Sequence, residues 1–125
     1  TVPMVDRLDA TLVQRGWKVM QRSEECYCAE LCSDTDPPSS ISVRLTPAHA
    51  TVFALEATEM DFTDTVDLIC AELGIAEQVH ERLHAVVGSL ATDMQETCQW
   101  RVDHIQVTYS HSANGIDNLD VYHAQ

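Results

Sequence analysis

The sequence predicts an α+β domain: a two-layer antiparallel sheet of five to six strands covered on one face by two to three helices, in the order α-ββββ-αα-ββ. Three observations carry this. Apolar residues alternate with polar ones between positions 17 and 57, they recur at helical spacing between 61 and 98, and the alternation returns after 105. Strands joined by short turns pair antiparallel, and their apolar side must be covered by the helices.

The elements follow in chain order. Residues 3 to 15 read as a helix, with Pro3 in the first turn and Val5, Leu8 and Leu12 on one stripe. Gly16 stops it. Trp17 and Val19 flank Lys18 in a strand over 17–22, and 26–32 is a second strand. There Tyr27, Ala29 and Leu31 share one face, and Cys26, Cys28, Glu30 and Cys32 the other. Because cysteine is itself often buried, the pattern leaves open which face is inside. Ser33 to Ser40 carries Asp34, Asp36, Pro37 and Pro38 and is a loop. Ile41, Val43 and Leu45 make a third strand, and residues 51–57 a fourth with Phe53 and Leu55 on one face. Asp61 or Thr63 is expected to cap a helix bearing Phe62, Val66, Ile69, Cys70 and Leu73, broken at Gly74. A further helix is expected from about 75 to 98, striped by Ile75, Val79, Leu83, Val86, Val87, Leu90 and Met94. Ile105, Val107 and Tyr109 begin a final hairpin, whose connection contains Asn114-Gly115 and whose return strand starts at Leu119 and Val121.

A chain of 125 residues, 45% apolar, is long enough for one core and is read as one acidic domain over 1–125. Its 20 acids against 7 bases leave a formal charge of −13, and Lys18 is the one lysine. Such a surface repels phosphate, which argues against direct nucleic-acid binding and against anionic membranes, and it attracts basic protein surfaces. No apolar run approaches the ~18 residues of a membrane span. The odd set Cys26, Cys28, Cys32, Cys70 and Cys98 is expected to be free thiols in a reducing, cytoplasmic setting.

Charge therefore points to a non-catalytic protein–protein interaction domain, an adaptor or a small inhibitor or immunity protein whose carboxylates stand where phosphates would sit on a basic partner. The partner-binding residues expected are Asp34 and Asp36 in the loop, with Glu56, Glu59, Asp61 and Asp64. A homodimer using a sheet edge or a helix stripe is a further arrangement open to such a domain.

One motif points elsewhere. His80-Glu81-Arg82-Leu83-His84 has the form H-E-x-x-H, which on a helix puts His80 and His84 on one face. Two imidazoles so placed can share a zinc ion while Glu81 activates its water. In this the segment resembles the zincin metalloproteases over five residues, and the resemblance implies a small zinc-dependent hydrolase as the alternative function. The longer metzincin form fails, since its glycine and third histidine would fall at Val87 and Leu90. Glu96, Cys98, His104 and His111 are the candidates for a third ligand. Polar residues flanking an amphipathic stripe explain the same spacing without a metal.

Overall fold

The computed structural model describes residues 4–23, 28–46, 49–87, 96–112 and 114–123. Its elements are α1 (Met4–Val13), β1 (Lys18–Ser23), β2 (Cys28–Cys32), β3 (Ser40–Leu45), β4 (His49–Leu55), α2 (Glu59–Glu72), α3 (Ala76–Val87), β5 (Glu96–Val102), β6 (Ile105–His111) and β7 (Ile116–His123). The domain is α+β, with a seven-stranded sheet in the order β1-β2-β3-β4-β7-β6-β5. Every neighbouring pair is antiparallel.

The strand count corrects the expected five to six, and the order gains a strand to become α-ββββ-αα-βββ. The expected helix over 75–98 is the cause. Helix α3 is described over Ala76–Val87, Leu90 and Met94 lie outside the described residues, and 96–102 is a strand. The change of period is visible in the side chains. Val102 is buried and Trp100 half-buried on one side, while Thr97, Gln99 and Arg101 are exposed on the other. A short turn at Asp103, which adopts φ 51°, returns the chain to β6. Aspartate tolerates that left-handed conformation better than most residues.

Both faces of the second strand are now assigned. Ala29 and Leu31 are buried, Glu30 is exposed, and Cys28 and Cys32 are half-buried opposite them. Cys26 lies outside the described residues. The same alternation runs through β3 (Ile41, Val43, Leu45), β4 (Ala50, Val52, Ala54), β6 (Val107, Tyr109) and β7 (Leu119, Val121). These side chains form one core with Leu12, Trp17, Phe62, Val66, Ile69, Val79 and Leu83. In β4 the larger side chains, Phe53 and Leu55, face away from that core and are 38% and 37% exposed. The inner positions hold small residues instead, which lets α2 sit close over this central strand.

Helix α2 begins at an N-cap, Thr58, whose side chain accepts the Asp61 backbone N–H at 3.1 Å. The sequence signal for a cap at Asp61 or Thr63 was therefore displaced by one turn. Glu59 and Asp61 in the first turn complement the helix dipole. The helix ends in a Schellman motif: Ile75 N–H reaches Cys70 O at 2.9 Å and Gly74 N–H reaches Ala71 O at 3.1 Å. The same pair of bonds closes α1, from Trp17 to Leu12 and from Gly16 to Val13. Both motifs need a residue at positive φ, and Gly16 (96°) and Gly74 (76°) supply it.

The connection after α1 is tied to α2 by charge. Asp61 is 8% exposed. Its carboxylate accepts from Trp17 Nε1 at 3.1 Å and from Arg15 Nη1 at 2.6 Å, while Arg15 Nη2 reaches Asp64 at 2.6 Å. The side-chain hydrogen bonds to Asp64 and Asp61 hold the Arg15 guanidinium above its usual pKa. Elsewhere α1 is joined to α2 by the exposed pair Arg7–Glu72.

Removing Asp61 leaves the buried Trp17 Nε1 without its acceptor, while Arg15 keeps Asp64. Asp61→Ala is expected to cost about 2 kcal/mol, against less than about 1 kcal/mol for the exposed Arg7→Ala, both read from urea unfolding midpoints. Burial, helped by the nearby Asp67 charge, pushes the Cys70 thiol from 9.0 up to about 12. A raised value in the folded state gives stability that is present below pH 9 and is lost as pH rises through 12. Ellman's reagent should modify Cys70 only on unfolding, and Cys70→Ala should lose less stability than wild type across that window.

Candidate functional site

The register puts several connections at one end of the sheet. Lys18 pairs with Cys32, Ser40 with Leu55, Leu55 with Ile116, and His111 with both Asp117 and Glu96. Hence the α1–β1 connection, the 33–39 loop, the start of α2 and the 112–115 turn lie at the same end. The acids singled out by charge are gathered there.

The 33–39 loop is closed on itself. Ser33 N–H donates to Ser39 O at 2.9 Å, Ser39 N–H returns to Ser33 Oγ at 2.7 Å, and Thr35 Oγ1 donates to Pro37 O at 3.0 Å. Asp34 and Asp36 are exposed on it. Glu56 sits at the tip of β4 with φ 55°, its O accepting from Ser39 Oγ at 2.6 Å and its N–H donating to Gly115 O at 2.8 Å. These bonds join the loop, the β4 tip and the 112–115 turn. Glu59 is exposed one residue beyond the α2 cap. Asp61 and Asp64 differ from these four in being engaged by Arg15. Among the described residues at this end the lysine and arginine side chains are Arg15 and Lys18, and Arg15 is already paired.

A second cluster lies on the helices. His80 Nδ1 donates to the Asp67 carboxylate at 2.8 Å, and the His80 and His84 rings lie with centroids 4.0 Å apart at 36°. One donor atom from each of Asp67, His80 and His84 falls within 4.8 Å of the others. Glu81 is exposed one position around the helix from His80. Of the third-ligand candidates, Glu96 and Cys98 are on β5, His104 is in the turn after it, and His111 is on β6. The donor that approaches the two histidines is Asp67. Its position had a sequence signal: Asp67 is seven residues before Gly74 and His80 six after it, so a tight helical hairpin at Gly74 sets them level.

A third group was not visible in the sequence. On the inner side of the sheet, Tyr109 Oη donates to Asp117 at 2.6 Å and His111 Nδ1 donates to the same oxygen at 2.8 Å. The Tyr109 ring packs on Phe62 of α2 at 5.8 Å. His111 Nε2, Ser112 Oγ and Trp100 Nε1 are buried and have no hydrogen-bond partner among the described residues. Three separate strands and a turn contribute to this group, and only the strand register brings them together.

No family model matches the chain, and neither a curated protein nor a solved structure matches it.

Burial pushes the Tyr109 hydroxyl well above its ordinary 10.0, and the bond to Asp117 adds to this. The stability it contributes is present below pH 10 and is lost as pH rises through the raised folded value. Tyr109→Phe is expected to cost about 2 kcal/mol at neutral pH, the net worth of one hydrogen bond to a charged group. The same variant should show a flatter stability profile above pH 10 in urea unfolding.

Proposed function

We propose that this domain is a non-catalytic interaction module that binds a basic protein surface through the acidic end of its sheet. In this reading the sheet is one layer and the helices cover it as the other, leaving the connections at the end of the sheet to make the contact. The single observation that supports it most is the gathering of Asp34, Asp36, Glu56 and Glu59 at that end. These side chains are exposed, while the nearest arginine is engaged with Asp61 and Asp64.

The physical case is one of field and geometry. Carboxylates on a loop braced by hydrogen bonds lose little freedom on binding, and a net charge of −13 steers a cationic partner toward them. An inhibitor or an adaptor would use the same surface. Cys32, Cys70 and Cys98 are not joined in disulfides, which accords with a reducing, cytoplasmic compartment in this reading. No helix among the described residues is long and apolar enough to cross a membrane.

The division of labour among the acids refines the expected contact set. Asp34, Asp36, Glu56 and Glu59 meet the partner in this reading. Asp61 and Asp64 hold the α1–β1 connection, and neutralising them acts through stability as well as charge. The zinc-hydrolase alternative requires Glu81 to work on a substrate at the outer surface of α3, where His80, Glu81 and His84 are all exposed. A cleft between α3 and β5 is lined by Gln78, Arg82, Trp100 and Asp103, and not by these three residues.

The test compares two variants of equal net charge against an arginine-rich peptide at low salt. Neutralising Asp34, Asp36, Glu56 and Glu59 to their amides is expected to weaken binding about ten-fold, roughly 1.4 kcal/mol, and to reduce its salt dependence. Neutralising Glu30, Glu77, Glu81 and Asp103 should have a much smaller effect. Equal losses in the two would mean that attraction is spread over the whole surface and that the end of the sheet is not a site.

A further inference from the structure

We infer that Asp67, His80 and His84 form a binding site for a divalent transition metal, with zinc as the ion the donor set suits best, that clamps α2 to α3. This goes beyond the acidic contact surface and is independent of it.

The helical hairpin supplies the geometry. His80 and His84 are one turn apart on α3, so their rings point the same way, and their centroids are 4.0 Å apart. Asp67 faces them from α2, with its two carboxylate oxygens 2.9 and 2.8 Å from His80 Nδ1. The three donor atoms lie within 4.8 Å of one another. Zinc bonds of about 2.0–2.2 Å in a tetrahedron put ligand atoms roughly 3.4 Å apart. Modest rotation closes that difference, and the side chains have room for it: His80 is 51% and Asp67 29% exposed. Two imidazoles and a carboxylate match zinc and its neighbours in the first transition row and match magnesium or calcium poorly. The remaining position is open to solvent and would hold water.

The electrostatics agree. The two rings lie tilted at 36° with centroids 4.0 Å apart, and Asp67 offers one carboxylate to the pair. A divalent ion satisfies both rings as neutral ligands and the carboxylate at once. The surrounding negative charge of the chain raises the local concentration of cations. Because the ligands come from two helices, an ion held there binds the folded hairpin and not the unfolded chain, so it stabilises the fold.

The experiment uses the full chain without a histidine tag, stripped with a chelator and dialysed. Zinc titration by calorimetry is expected to show one ion per chain, and cobalt to give the visible absorption of a low-coordinate site. Zinc should raise the melting temperature, and a chelator should reverse it. His84→Ala and Asp67→Asn should each weaken zinc binding ten-fold or more and abolish the thermal shift. His49→Ala, in the separate His49–Asp120 pair, should leave both unchanged. Circular dichroism of each metal-free variant confirms that it is folded, as expected for exposed positions. If wild type binds no zinc, or if His84→Ala binds as wild type does, the site does not exist. If only Asp67→Asn binds normally, Asp67 is not a ligand and the three-ligand assignment fails.

Discussion

The Asp61 carboxylate is the constraint on which the assembly of this domain turns. A nearly buried carboxylate is costly unless its charge and lone pairs are met. Here Arg15 and Trp17 meet them from the far side of the α1 C-terminus. That requirement fixes where α1 ends and how the chain enters β1. Within α2 itself the Asp61 main chain is held locally, by the Thr58 cap on one side and by Thr65 one turn on. The Schellman turn at Gly16 delivers Trp17 to this point, so a backbone motif and a side-chain network depend on each other.

The sheet is assembled from two meanders, β1–β4 and β5–β7, that meet where β4 pairs with β7. The helical hairpin occupies the long connection between them. On the inner face Ala50, Val52 and Ala54 line β4, which α2 contacts, and Tyr109 lies against Phe62 of α2. The outer face is polar at Ser42, Thr51, Thr108, Ser110 and Asn118, with Phe53 and Tyr122 as its larger exposed rings.

Charge on this chain is organised by position as much as by amount. Some carboxylates are built into the fold: Asp61 and Asp64 on Arg15, Asp117 on Tyr109 and His111, Asp120 on Thr51 and His49. Others are left on braced loops at one end, which is what a contact surface needs. Asp67 sits between these two conditions, paired with His80 and 29% exposed. The proposed contact surface and the proposed metal site share helix α2 and occupy different parts of it.

The sequence by itself determined the α+β class, the four leading strands, both glycine stops and the net charge, because each rests on local physics. Period-two alternation, positive φ and a count of acids need no knowledge of distant residues. It misread 96–98 as helix because Leu90 and Met94 extend the helical spacing beyond Val87, and the alternation of β5 begins only at the following residues. It marked Asp61 as a partner contact because a carboxylate carries the same charge whether or not Arg15 lies beside it. Only the tertiary structure decided that 46 residues of separation close into an ion pair. The fold also decided that Asp67 joins His80 and His84, and that Tyr109, His111 and Asp117 share a buried network. The spacing about Gly74 sets Asp67 level with His80, but the contact itself needs the two helices packed, and the Tyr109 network needs the strand register, which local pattern does not encode.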